Sequence, residues 1–559
     1  MVWSKAKARN GFRSTALSIA LIFSVTVFLL LFSALSFAQH SYYISKSLGN
    51  DSNTTTQAQS QSTPWAHVPG MNGATGTAGS YTPVAGDEFI LYGGDTWGTS
   101  DLPLQINQNG SGQCLTTPNS SCIYVGVNTS WYNSGVCGGS FCRPIFSQQN
   151  TVEGSWYAMA YIYGTNVTLD NIEFTGMMTS GGNTSRMVAA GGGGGGDVIE
   201  HCYFHGWNRS ASGDSDNSIV IAASAPGTVV HDNVIDGADT LAATAVSGNP
   251  CGSPDGICQG MNTAINGAAS VYNNVIKNVT SGIVTSVDIM HDNWIGPVWL
   301  GYTGGHRNGV QIAGNVSLSY FLAYNNILTQ VQNGGMGGFW LEQGSGNAGL
   351  TAYVFNNLLF PGTGTGAGLG EGMQFCQEGT SCGPFYAFNN TMESQFALSG
   401  GASGTANLYN NHCILTSGSD CANNEGSWTV NETTNLAQCS GTGTGCSDAN
   451  ASPHFDQYSD SQSFADSPVA STNSTVGAGT NEQSLCSTIA SLNAAAGTAC
   501  QSDTSYACSY NTSNHTVTCP ADPLVARPTS TAWNIGAYQY NGGGDPPPNP
   551  PSGLSALVN

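Results

Sequence analysis

Positive charge is what this chain has least of. Lysine and arginine total 11 in 559 residues against 33 aspartates and glutamates, a formal charge of −22 at pH 7. Lys5, Lys7, Arg9 and Arg13 crowd the amino terminus, so only Lys46, Arg143, Arg186, Arg209, Lys277, Arg307 and Arg527 serve everything after it. That shortage excludes the basic footprint that nucleic-acid binding requires, and it disfavours anionic lipid. Also lacking is any sustained 3.6-residue apolar period, which a βαβ array would need for its helices. The 74 glycines follow no Gly-X-Y period, so the chain is not collagen-like. Tight CxxC units are absent, which leaves little basis for a zinc site.

Long apolar runs are limited to one. Ala16 to Leu35 follows the basic segment and ends at Ser36-Phe37-Ala38, small residues where a signal peptidase cuts, so removal before Gln39 is expected. A run of about 20 apolar residues could instead remain as an N-terminal anchor. Both readings put the rest of the chain outside the cytoplasm. Cysteine spacing agrees. Sixteen of the 17 cysteines fall into near neighbours: 114/122, 137/142, 251/258, 376/382, 413/421, 439/446, 486/500 and 508/519. Local disulfides of this kind pin loops by restricting the unfolded chain. Cys202 is left over in a strand-like run and reads as a small buried apolar residue.

A phrase recurs through the middle of the chain. Clear copies are Val230-His-Asp-Asn-Val-Ile235, Val271-Tyr-Asn-Asn-Val-Ile276, Met290-His-Asp-Asn-Trp-Ile295, Ala323-Tyr-Asn-Asn-Ile-Leu328, Val354-Phe-Asn-Asn-Leu-Leu359, Ala387-Phe-Asn-Asn-Thr-Met392 and Leu408-Tyr-Asn-Asn-His-Cys413. Looser copies are Leu169-Asp-Asn-Ile172 and Ile199-Glu-His-Cys-Tyr203. The second asparagines are spaced by 41, 19, 33, 31, 33 and 21 residues. The short steps allow three strands and three turns, and the long ones add an outward loop. An asparagine at a bend can bond to backbone groups and stack on its counterpart one turn away. A second column, including Asn308-Gly-Val-Gln-Ile312, Gly337-Gly-Phe-Trp-Leu341 and Glu371-Gly-Met-Gln-Phe375, reads as one further strand per turn. The expected fold is all-β: a right-handed parallel β-helix with long loops, whose turns bury a shared core.

Five regions follow. Residues 1–38 are the leader, 39–85 a leading segment and cap, and 86–413 the β-helix core. Residues 414–540 form an irregular extension, with a short helix over 485–496 and a closing strand over 533–540 that could cover the open end. Residues 541–559 are a Gly/Pro-rich tail.

Three stretches resemble the bacterial secreted proteins with a pectin-lyase-like parallel β-helix. They are Ser41-Tyr-Tyr-Ile-Ser-Lys-Ser-Leu-Gly-Asn-Asp-Ser-Asn53 with Pro64-Trp65, the Asn-Asn phrases, and Ser467-Pro468 with Trp533-Asn-Ile-Gly-Ala-Tyr538. Together the likeness covers most of 41–540. It implies the fold and an extracellular polysaccharide partner, in a group that includes lyases, hydrolases, epimerases and proteins of unknown function. Lyases of this group use calcium held by aspartates with a basic residue as proton acceptor; hydrolases use grouped aspartates. No stretch matches either set residue by residue, so fold alone does not assign the reaction.

From the residues themselves, the middle turns offer the candidates. Gln311, Trp340 and Gln374 share one offset and should align at about 4.8 Å per turn, as a sugar-binding shelf. Arg307 could neutralise a uronate carboxylate and His306 could act as base. Lys277 is a second base candidate, though in so acidic a chain a surface ion pair is its plainer role. Glu342 with Glu371, or Asp255 with Asp288, could form an acid–base pair for glycoside hydrolysis. Asp255, Asp288 and Asp292 are oxygen ligands that could serve Ca2+. The leading expectation is uronate-polymer cleavage by β-elimination, with glycoside hydrolysis or non-catalytic glycan adhesion as alternatives.

Overall fold

The computed structural model describes residues 40–112, 122–152, 157–179, 184–191, 195–209, 218–237, 263–284, 286–296, 298, 308–312, 318–329, 338–342, 349–360, 372–376, 379–415, 421–439, 471, 475–504, 509–511, 513–518 and 524–540. The leader and the Gly/Pro-rich tail lie outside them, as do Asp255, His306, Arg307 and Glu371.

Strands repeat in threes. Each turn contributes one strand to each of three parallel sheets, which hold 13, 11 and 13 strands among the described residues. The first sheet runs from His40–Ile44 to Ser427–Thr433, the second from Leu104–Ile106 to Ala422–Asn424, and the third from Thr96–Trp97 to Leu436–Cys439. Alternation sends Leu169, Ile199, Val230, Val271, Met290, Ala323, Val354, Ala387 and Leu408 of the first sheet into one continuous core, shared with Val310, Phe339, Met373 and their counterparts. The chain is a right-handed parallel β-helix.

The two asparagines of the phrase have separate tasks. The first position adopts the left-handed conformation, with φ between 52° and 59° at Asn171, His201, Asp232, Asn273, Asp292, Asn325, Asn356, Asn389, Asn410 and Thr434. Asn and Asp tolerate that region, and it turns the chain from the first sheet to the third. The second asparagine points inward. From Asn233 through Asn274, Asn293, Asn326, Asn357, Asn390 and Asn411 to Asn435, each Nδ2 donates to the next Oδ1 at 2.9–3.1 Å. The same Nδ2 also donates to backbone carbonyls, as Asn357 does to Ala323 and Phe355. Bend polar groups are thereby satisfied without water.

The disulfides among the described residues join expected neighbours: 137–142, 376–382, 413–421 and 486–500. Cys202 is free and buried.

Three boundaries differ from the sequence reading. The solenoid continues one turn past 413, through Ala422–Asn424, Ser427–Thr433 and Leu436–Cys439, because Asn435 extends the ladder without an Asn-Asn phrase. The helix over 485–496 is two helices, Gln483–Leu492 and Ala494–Cys500, broken at Asn493, whose side chain caps the second. Residues 533–540 form no strand and do not close the end. Gly536 and Ala537 donate to Asn410 O and Thr391 Oγ1, while Ala537 and Tyr538 pack with Val275, Trp294, Ile327 and Leu358 outside the third sheet. The extension lies along the flank of the solenoid, where it covers outward apolar side chains of the first and third sheets. No helix among the described residues is long and apolar enough to cross a membrane.

Candidate functional site

Parallel register stacks one residue of every turn into an outward column beside the left-handed bend. On the first sheet this column reads Asp170, Glu200, His231, Tyr272, His291, Tyr324, Phe355, Phe388 and Tyr409. From His231 to Phe388 the rings stack face to face, with centroids 4.6–5.1 Å apart and interplanar angles of 3–14°. The two looser phrase copies replace the ring by a carboxylate. There the column becomes a chemical site.

Asp170 and Glu200 are buried neighbours on adjacent strands. Tyr124 Oη donates to Asp170 Oδ2 at 2.5 Å, and His201 Nδ1 donates to Asp170 Oδ1 at 2.8 Å. The left-handed bend at His201 is what turns its ring back over the preceding strand; its side chain is 48% exposed, at the mouth of the cluster. On the other side, His231 Nε2 lies 3.3 Å from Glu200 Oε2, while its Nδ1 meets Asp232 Oδ2 at 2.7 Å. Asp170, Glu200 and His201 each bring one ligand atom within 4.8 Å of the others, so the group could hold a cation.

Burial, and then the neighbouring Asp170 charge, raise the Glu200 carboxyl above its ordinary range. Burial works against the His201 imidazolium, but the Asp170 hydrogen bond and charge overcome it and raise the histidine. The phenol of Tyr124 is raised by burial and by Asp170. Arg143 fastens the site from behind. It donates to His201 O through Nε and Nη2, and to Asn514 O and His515 O of the C-terminal hairpin Ser509–Asn511/Thr516–Thr518. His515 stacks on Tyr203 at 3.9 Å.

The sequence candidates are distributed otherwise. Gln311, Trp340 and Gln374 do align on adjacent strands of the second sheet, facing away from the core. Trp340 is only 1% exposed, however, and Gln374 is buried, so they present no open shelf. Glu342 is buried and accepts from Gln311 Nε2 at 2.5 Å; its partner Glu371 is outside the described residues. Lys277 lies on the third sheet, 3.1 Å from Asp236, which is the plain ion pair considered for it. Asp288 and Asp292 flank opposite ends of the strand Ile289–His291, and Asp292 meets His291 Nδ1 at 2.6 Å. The described candidates are thus not gathered into one groove. Sequence reasoning missed Asp170, Glu200 and His201. The signal was present: the looser copies carry an acid where every clear copy carries a ring.

No protein family and no curated protein matches the chain. Among solved structures, the GH136 lacto-N-biosidase from Eubacterium ramulus aligns at a TM-score of 0.43 and 13% identity, over 71% of this chain and 67% of that one. Pectate lyase Pel9A aligns at 0.36 and 13%, over 91% and 99%. The Dettilon tailspike protein aligns at 0.25 and 12%, over 62% of each chain. Likeness this distant assigns no chemistry. Three stacked parallel sheets, inward asparagines and loop disulfides make the chain a right-handed parallel β-helix, and that fold is as far as the likeness goes.

Proposed function

We propose that this is an extracytoplasmic polysaccharide-acting protein whose reaction site is the Asp170–Glu200–His201 cluster, and that the reaction is glycoside hydrolysis. One observation carries the reading: two carboxyls sit side by side on the outer face, with a ligand-atom spacing within 4.8 Å. Closely paired carboxyls, one to donate a proton and one to meet the sugar, are the arrangement of retaining glycosidases. Glu200, raised by burial and by Asp170, is the proton donor to the leaving oxygen. Asp170, oriented by Tyr124 and His201, is the group that meets the sugar carbon. Water then attacks the same carbon, releasing Asp170 and giving its proton to Glu200, whose Oε2 lies 3.3 Å from His231 Nε2.

β-Elimination from a uronate polymer needs a positive group at the substrate carboxylate. Lys277, its candidate among the described residues, is engaged by Asp236, while His306 and Arg307 lie outside those residues and remain candidates for that reaction. A paired-acid site in a chain of charge −22 is better matched to a neutral sugar. Calcium takes about six to eight oxygen ligands; two carboxylates and an imidazole fit that ion poorly, and the hydrolytic steps above use only side chains of this chain.

The test is product analysis on a polysaccharide panel. New reducing ends without an unsaturated, ultraviolet-absorbing product, lost in Glu200→Gln, support the reading. An unsaturated product from a polyuronate would replace it by β-elimination, and binding with no product would leave a non-catalytic adhesin.

A further inference from the structure

A second outward column runs the length of the second sheet and carries no charge. In register it reads Gln105, Tyr161, Ala189, Ala222, Asn266, Val284, Gln311, Trp340, Gln374, Ala397 and Asn423. In a protein with 33 acidic residues, eleven successive strands without one is a marked departure. The downstream part is covered at Trp340, but the upstream part is open. Tyr161 and Tyr163 point away from the core, which takes Ala160 and Ile162 instead. Their rings stack at 5.3 Å and 7°, and Tyr163 is 49% exposed, the single aromatic among the exposed large apolar side chains of the described residues.

A stack uses one face of each ring and leaves the outer face of Tyr163 to solvent. Beside it, Gln105 is exposed and Ala189 and Gly191 are small, with room beyond Gly191 for a side chain. An aromatic face, an amide and a shallow floor are the complement of a sugar ring: C–H groups lie on the aromatic face while hydroxyls meet the amide. We propose that Tyr163, Tyr161 and Gln105 form a surface subsite for a neutral polysaccharide, on a different sheet from the acid pair. It holds the polymer against the solenoid and takes no part in bond cleavage. The occupant is an uncharged glycan, because Tyr163, Tyr161 and Gln105 are neutral, the nearby Arg186 is set against Tyr161, and a chain of charge −22 repels a polyuronate. The subsite deepens the polysaccharide reading above but stands apart from the assignment of Glu200.

Affinity electrophoresis in gels containing galactomannan, arabinoxylan, hydroxyethyl cellulose or polygalacturonate tests it. At least one neutral polymer should retard the protein and polygalacturonate should not. Tyr163→Ala should weaken retardation by roughly tenfold, with an unchanged thermal transition because the ring is exposed. Glu200→Gln should be retarded like the parent. Retardation by none of the neutral polymers, or retardation untouched in Tyr163→Ala, overturns the subsite. Retardation lost in Tyr163→Ala with no hydrolysis by the parent keeps the subsite and removes the hydrolase assignment.

Discussion

The backbone N–H of Cys202 donates to Asn233 Oδ1 at 3.0 Å, so the free cysteine stands at the head of the asparagine ladder. Its Sγ lies 3.8 Å from Leu169 O, the carbonyl that an asparagine there would address. Cys202→Asn should therefore add a rung, leaving the midpoint of chemical unfolding unchanged or higher. Asn326→Ala, in mid-ladder, removes donors to Met290, Tyr324 and Asn357 and the acceptor for Asn293. It should cost roughly 3 kcal/mol, because buried partners are left unsatisfied.

Glu200 should trade stability for reactivity. Its carboxyl is raised in the folded state, so folding loses stability as pH rises from the ordinary glutamate range through that raised value. Glu200→Gln should unfold at higher denaturant than the parent at pH 7, with the gain vanishing below about pH 4. Turnover should disappear in the same variant, and in the parent it should fall on the alkaline side as the acid loses its proton.

Asp197 offers a cleaner pH test away from the site. It is wholly buried, has no ion pair among the described residues, and is pushed up to about 6 by burial, although Val167 N–H bonds its Oδ1. Parent stability should decline as pH rises from about 4 to 6. Asp197→Asn should remove that decline and stabilise the protein at pH 7 by on the order of 2 kcal/mol, measured by denaturant titration at each pH.

The leading segment should respond in the opposite sense. His67 bonds Asp51 through Nδ1 at 2.6 Å and Asp101 through Nε2 at 3.1 Å, and Lys46 meets Asp101 at 2.6 Å. Burial opposes both carboxylates, but His67 on Asp51 and Lys46 on Asp101 overcome it and hold them below the usual range. Their contribution is present above the unfolded aspartate value and lost as pH falls through the depressed one. His67 is raised by the two aspartates against burial, so its share is lost as pH rises through that raised value. Fluorescence of buried Trp65, which bonds Asn53 O, should report loosening at both extremes; His67→Ala should loosen it at every pH.

Arg527 should decide whether the extension stays on the flank. Its buried guanidinium donates to Ser502 O, Asn356 Oδ1 and Ala537 O and lies 5.2 Å over the Trp533 ring. Beneath it, Tyr324, Phe355 and Phe388 pack against Ile489 and Trp533. Arg527→Ala should open 475–540 to limited proteolysis while the sheet signal in circular dichroism persists. Cleavage no faster than in the parent would contradict this.

Much of the architecture was written locally. An Asn-Asn phrase carries its own left-handed bend and inward amide, and cysteines six or eight residues apart have few partners within reach, so both could be read along the chain. The flat-ring position was legible for the same reason: Tyr272, His291, Tyr324 and Phe355 occupy it in successive copies. What the chain order could not show was alignment across loops of unequal length. Asp170 and Glu200 are thirty residues apart in sequence yet adjacent in register, and Arg143 reaches the carbonyls of 514 and 515 only because the extension returns along the solenoid. Burial was equally out of reach, for it depends on what finally lies over a side chain: Trp340 faces outward and is covered, whereas Tyr163 faces outward and is open. The sequence by itself determined the turns, because their chemistry is local. Only the tertiary structure decided which outward groups meet and how they titrate, because pairing and desolvation are set by neighbours far away in the chain.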